Sequence, residues 1–212
     1  MASILVICAH SDDQIFGPGG TLIKYANQGD TIHTVILSYG ELSHFWLQSK
    51  VTAEMRIAES EHADKVIGGS GVTFLNLKEG KFAKEFKHKK VVQRLSDIIK
   101  EKKPDKIFTH SLDDPLRDHR ETLKIVLETL DTIKYDVDVY TFNVWNIFNL
   151  KSNLPKLVVD ISETFKTKRK ALRCFQSQTM TMITLLWSVY AKAFFHGLQN
   201  NTKWAEVFYK IR

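Results

Sequence analysis

The chain opens with six consecutive apolar residues, Ile4–Ala9. The run is too short for a helix and reads as a strand buried on both faces, as parallel sheets require. A polar turn over His10–Phe16 follows, and Pro18 stands where helices commonly begin. Thr21–Asn27 is helical in character and stops at Gly29. Thr31–Leu37, rich in β-branched residues, predicts a second strand.

From Val51 to Ile67 apolar residues recur at helical spacing and end at Gly68-Gly69. Beyond them come a strand over Val72–Leu77, a helix over Val91–Lys102 and a strand over Lys106–Thr109. A polar loop, His110–His119, leads into a helix over Glu121–Leu130. Val137–Phe142 and Lys156–Val159 read as later strands. Glu163–Phe175, Met180–Phe195 and the closing Trp204–Lys210 read as helices. Strands alternating with longer helical segments predict an α/β fold whose central sheet carries helices on both faces.

The 212 residues fit one domain spanning positions 1–212. A chain of this size buries about 70% of its surface on folding, so neither disulfides nor a metal are needed to hold it together. Cys8 and Cys174 lie far apart, which excludes a disulfide framework and favours a reducing compartment. No stretch reaches the roughly 18 apolar residues of a membrane span; the nearest, Met182–Phe195, is broken by Thr184, Ser188 and Lys192. The opening run lacks a basic flank, unlike a signal peptide. A soluble cytoplasmic protein is expected. Thirty basic and 24 acidic side chains leave a net charge of +6, suited to an anionic small molecule.

Ligands of open α/β sheets bind beyond the carboxyl ends of the strands. Two loops at such ends combine imidazoles with carboxylates: His10-Ser11-Asp12-Asp13, and the segment from His110 to Asp118-His119. His10, Asp13 and His119 form a two-histidine, one-carboxylate set of the kind that holds catalytic zinc. Asp12 would remain beside the metal, placed to take a proton from water. The competing reading is that Asp12, Asp13 and Asp118 only cap helices. Gly17-Pro18-Gly19-Gly20 lacks the spacing of a phosphate-binding loop and carries little weight.

In these residues the chain resembles the LmbE/PIG-L family of zinc-dependent N-acetylglucosaminyl deacetylases. The likeness rests on Ala9-His10-Ser11-Asp12-Asp13-Gln14, Gly19-Gly20-Thr21, Ser38-Tyr39-Gly40-Glu41, Arg56 with Glu59 and Gly68, Pro104-Asp105, Thr109-His110 and Asp118-His119. Toward the C-terminus it continues through Lys170-Ala171-Leu172, Ser177-Gln178 and Ala205-Glu206-x-Phe208. The resemblance implies a Rossmann-like three-layer sandwich with a mainly parallel central sheet. It implies Zn2+, or another divalent metal, on His10, Asp13 and His119, with Asp12 as general base. Asp118 would support His119 or the proton network, and Arg56 and Glu41 would contact substrate.

Three departures stand out. Ser11 replaces the family's proline, Gln14 its glutamate, and Leu116 the first histidine of its His-x-Asp-His loop. That histidine is expected to steady an oxyanion or protonate the leaving amine, a contribution of about 10²–10³ in rate for an oxyanion donor. His110 or His44 would stand in for it, which puts His110 among the substrate-binding candidates; otherwise both are surface or structural residues.

The expected activity is hydrolytic removal of an acyl group from an amino sugar. A metal-poor or inactive sugar- or partner-binding relative is the alternative that Leu116 and Gln14 motivate. A nucleic-acid module would rest on net charge alone, without a recognition motif. Phe45, Trp46, Trp145 and Phe148 are candidates to stack on a sugar, against ordinary packing. The lysines at 78, 81, 84, 87, 89 and 90 read as a solvated surface. A homo-oligomer is compatible with the sequence.

Overall fold

The computed structural model describes residues 1–40, 49–88, 90–146 and 153–212. Its strands are β1 (Ser3–Cys8), β2 (Thr31–Ile36), β3 (Val72–Phe74), β4 (Lys106–His110), β5 (Asp138–Phe142), β6 (Lys156–Asp160) and β7 (Ala205–Lys210). Its helices are α1 (Asp13–Phe16), α2 (Gly19–Asn27), α3 (Ser49–Ile67), α4 (Phe82–His88), α5 (Val91–Lys102), α6 (Arg117–Ile133), α7 (Phe165–Leu172) and α8 (Thr179–Gln199). Among the described residues no helix is long and apolar enough to cross a membrane.

The strands form one sheet in the order β3-β2-β1-β4-β5-β7-β6. β7 runs antiparallel to both neighbours, and the other pairings are parallel. β1 lies near the middle, and its uninterrupted apolar run follows from that place. Ile4, Val6 and Cys8 face one core, while Leu5, Ile7 and Ala9, the residue after the strand, face the other. The first core is closed by α2, α3, α7 and α8 through residues such as Leu22, Ala63, Leu172 and Val189. The second is closed by α4, α5 and α6 through Phe82, Leu95 and Val126. This is the expected three-layer α/β arrangement.

One predicted element changes type. Trp204–Lys210 is not a helix; Ala205–Lys210 is the strand β7. Its apolar residues are too few to separate helical from extended spacing by pattern, and pairing on both sides with β5 and β6 decides the matter. Two short helices, α1 and α4, lie in segments that carry no periodic signal. α6 begins at Arg117, so Asp118 and His119 sit in its first turn rather than in the preceding loop.

β7 also delivers the charge that fixes the start of α2. Glu206 accepts N–H bonds from Gly20 at 2.9 Å and Thr21 at 2.8 Å, together with the Thr21 hydroxyl at 2.6 Å. A carboxylate at a helix N-terminus meets both the free N–H groups and the positive end of the dipole. A Cβ on Gly20 would lie 3.0 Å from Glu206 Oε1 and 2.9 Å from Ile161, so a larger residue would have to push these side chains aside. Lys168 completes the arrangement, with Nζ 2.7 Å from Glu206 and bonded to the carbonyls of Phe16 and Gly17. Both ends of this ion pair are buried, and breaking such a pair by truncating one partner costs about 3–5 kcal/mol. Glu206→Ala is therefore expected to lower stability by about 3–5 kcal/mol, read from urea unfolding; a loss below about 1 kcal/mol, the range of an exposed pair, would show that the pair is not a structural tie.

Candidate metal centre

β1 and β4 are parallel neighbours, and the chain departs from them in opposite directions across the sheet. A crevice opens at such a reversal, beyond the carboxyl ends of the strands. The loop after β1 carries His10 and Asp12, and Asp13 opens α1. The end of β4 and the first turn of α6 carry His110, Asp118 and His119.

Asp13 lies at the centre, 3% exposed. Its carboxylate oxygens stand 3.6 Å from His10 Nδ1, 3.2 Å from His110 Nε2 and 3.4 Å from His119 Nε2. Its Oδ2 also accepts the backbone N–H of His10 at 2.8 Å, which folds the loop over the carboxylate. Burial by itself would raise its pKa, but His119 and His110 outweigh that effect and hold it well below the usual carboxylate range.

Ligand-type atoms of His10, Asp13 and His119 all lie within 4.8 Å of one another. The Nε2 atoms of His10 and His119 are buried without a hydrogen-bond partner. The His119 nitrogen, unsatisfied beside the Asp13 carboxylate, fits a divalent cation, which supplies a missing partner. A second grouping, His110, Asp114 and His119, meets the same distance criterion. All three of its residues are at most 1% exposed, which leaves no open position for a substrate. His10, partly exposed, gives the first set its open face.

The surrounding residues hold these ligands in place. His119 Nδ1 lies 2.9 Å from Asp114 Oδ1, which leaves Nε2 for the metal. Asp114 is anchored in turn by N–H bonds from Leu116, Val144 and Trp145. Burial alone would raise Asp114, but the His119 contact holds it below the usual range. Asp118 supports His10 rather than His119, at 3.5 Å from Nε2, and accepts the Gly80 N–H at 2.6 Å. Burial would depress His10, yet Asp118 and Asp13 bring it up to about 10. Glu79 lies 4.0 Å from the same imidazole.

Asp12 sits at the N-cap of α1 without making a capping hydrogen bond. The N-cap of α6 is Leu116, not Asp118. Helix capping therefore does not account for either carboxylate. Asp12 is 6% exposed, and burial raises its pKa while Arg56 opposes the rise. The Arg56 Nη2 atom is 3.7 Å from Asp12, and Nε donates to the Ser11 hydroxyl at 2.8 Å. Ser11 thus provides a bond that proline could not. Arg56 Nη1 is buried without a partner.

His110 is fully buried and stacks on His119 at 3.9 Å between ring centroids. Its Nε2 lies 3.1 Å from the Ala9 N–H and 3.2 Å from Asp13, so the ring backs the metal set instead of facing a substrate. Burial first, then His119, lowers it to about 4. Glu41, His44, Phe45, Trp46 and Phe148 lie outside the described residues. Trp145 is exposed beside Asp114, and Lys78, Lys81, Lys84 and Lys90 are exposed as expected.

Residues 5–130, more than half of the chain, match the PIG-L family, described as GlcNAc-PI de-N-acetylase. The chain belongs to the PIG-L family. A 4-oxalmesaconate hydratase from Pseudomonas putida (strain KT2440) is 27% identical over 208 residues, covering 90% of this chain and 77% of the relative. The structure of GalB, the 4-carboxy-2-hydroxymuconate hydratase from Pseudomonas putida KT2440, superposes with a TM-score of 0.86 at 22% identity, covering 100% of this chain and 97% of that one. N,N'-diacetylchitobiose deacetylase from Pyrococcus horikoshii gives 0.83 at 22% identity, covering 99% and 84%. These two structural likenesses show a shared fold, and the sequence relative carries the name of a hydratase rather than of a deacetylase.

Asp114 and Glu79 are the site residues that sequence reasoning missed. Asp114 belongs to the polar loop already singled out, but its bond to the Val144 N–H is a contact across 30 residues that no local spacing announces. Asp114→Asn is expected to weaken binding of a divalent metal about 10–100-fold, as loss of an outer partner of a ligating histidine does. Competition with a chromophoric chelator checks this, and unchanged affinity would remove Asp114 from the centre.

Proposed function

We propose that this PIG-L family protein is a metal-dependent hydrolase that removes an acetyl or related acyl group from the amide nitrogen of a small amino sugar or sugar conjugate. The observation that carries this reading is the uncapped Asp12 carboxylate beside the His10, Asp13 and His119 set. These three residues would hold the cation, with zinc the first choice for two histidines and a carboxylate. Such an ion supplies Lewis acidity, lowering the pKa of water and polarising a carbonyl oxygen.

The chain's own groups move the proton. Asp12 takes it from the attacking water as the water oxygen bonds to the acyl carbon. The carbon–nitrogen bond then breaks, and the same proton passes to the departing nitrogen. Arg56, buried against Asp12, favours the ionised base and limits its orientation. Leu116 offers no proton at the position where the family resemblance expects an imidazole, so Asp12 serves in both directions. The net charge of +6 suits an anionic handle such as a phosphate on the sugar.

A second reading has its own support. The hydratase relative covers 90% of the chain, and hydration of a double bond releases no amine. Asp12 would again take a proton from water, the hydroxyl would bond to one carbon, and the proton would go to its neighbour. The lost imidazole at position 116 is then no handicap.

Acetate release from free, phosphorylated and nucleotide-linked N-acetylamino sugars, run beside loss of absorbance from conjugated unsaturated carboxylates, separates the two. The expected result is acetate release that stops with chelator. Asp12→Asn should keep its zinc and lose about 10²–10⁴ in rate, the usual contribution of a positioned general base. Water addition without acetate release would replace the first reading by the second. Stoichiometric zinc without either reaction would favour a binding protein, and unchanged turnover in Asp12→Asn would remove Asp12 as the base.

A further inference from the structure

A cavity of about 60 Å³ lies between the end of β5, the strand β7 and the helix α8. Phe142, Asn143, Lys168, Lys192, His196 and Glu206 are among its lining residues, and none of the metal-centre residues reaches it. A cavity needs about 10–15 Å³ on this measure to hold one water, so this one admits about four, the bulk of a compact anion.

Its charge does not balance. Lys168 is paired with Glu206 at 2.7 Å. Lys192, partly buried, donates to the carbonyls of Asn143 at 3.1 Å and Val144 at 2.5 Å. Among the described residues no carboxylate forms an ion pair with Lys192, and two ammonium groups against one carboxylate leave one positive charge over. An enclosed cation is costly unless it is paired. Burial first, and Lys168 second, bring its pKa down to about 8, so the ammonium form still prevails at neutral pH.

We propose that this cavity is a second ligand site, one that binds a compact oxyanion, either a short carboxylate or inorganic phosphate, with Lys192 as counter-ion. The site is separate from the metal centre and does not depend on which reaction runs there.

Titration calorimetry of the full chain with acetate, malonate and phosphate, against chloride as control, tests this. One of the three oxyanions is expected to bind saturably at one site per chain, with or without zinc. Lys192→Met should weaken that binding by more than about tenfold, since truncating one partner of an enclosed charge pair costs at least that much. Ala193→Val keeps the ammonium but adds two methyl groups to the cavity wall, and should weaken binding as well. If Lys192→Met fails to fold by circular dichroism, Ala193→Val decides the question alone. The proposal is overturned by the absence of saturable heat up to 50 mM, a ceiling of roughly −2 kcal/mol in affinity. It is equally overturned by binding of unchanged strength in Ala193→Val, which would place the anion elsewhere, on the Arg56 side or as an adventitious ion only.

Discussion

The buried carboxylate of Asp13 is the constraint around which the carboxyl end of the sheet's central strands is arranged. A nearly inaccessible negative charge survives only with compensation on every open side. His10, His110 and His119 provide it, drawn from the loop after β1, the end of β4 and the first turn of α6. The three segments come within a few ångströms of one another because β1 and β4 are adjacent and parallel. The continuous apolar run of β1 therefore has a chemical consequence: a strand buried on both faces delivers the loop after it into the middle of the molecule's upper edge. Had β1 been an edge strand, its loop would meet histidines from one side only.

That arrangement divides the carboxylates by role. Asp13 faces imidazoles and is held charged, a ligand's condition. Asp12, one residue away, faces Arg56 and leaves its helix end uncapped. Asp114 and Asp118 each stand behind a different histidine, one on the α6 side and one toward the Gly80 loop. The division matters for the departure at Leu116. With no imidazole at that position, the carboxylates described around the site that can carry a proton include Asp12 and the half-buried Glu79, 4.0 Å from His10. A hydrolysis, which returns a proton to nitrogen, and a water addition, which returns one to carbon, would both draw on those carboxylates. The fold accommodates both, as a hydratase and a deacetylase of the same fold attest, so the choice lies in the substrate pocket and not in the scaffold.

The legible part of the molecule is the part with strong local signals. Parallel strands buried on both faces read as uninterrupted apolar runs, and α3, α5 and α6 read as helical repeats. His10, Asp13 and His119 were legible because imidazoles and carboxylates are conspicuous at the ends of such strands. β7 was not, since Val207, Phe208 and Tyr209 suit a helix face as well as a strand and only the gap between β5 and β6 settles their form. The role of Asp114 is set by peptide groups of Val144 and Trp145, which the sequence keeps remote. His110 was visible as an imidazole near the site, but its direction was not. Its place at the last position of β4 turns the ring inward, beneath Asp13, which is a property of the sheet's pleat and register rather than of neighbouring residues.

The segment Asn143–Trp145 joins the two places where charge is buried. On one side the N–H groups of Val144 and Trp145 satisfy Asp114, which holds His119. On the other, the carbonyls of Asn143 and Val144 satisfy Lys192. Val144 therefore spends its donor on the metal centre and its acceptor on the cavity. A peptide unit held at both ends is stiff, and a charge at either end reinforces the dipole that the other end requires. The ammonium of Lys192 thus reinforces the negative partner of His119 without touching it. On this view the cation left over at Lys192 has a use even before any anion arrives, because it polarises the peptide group whose N–H keeps Asp114 in position.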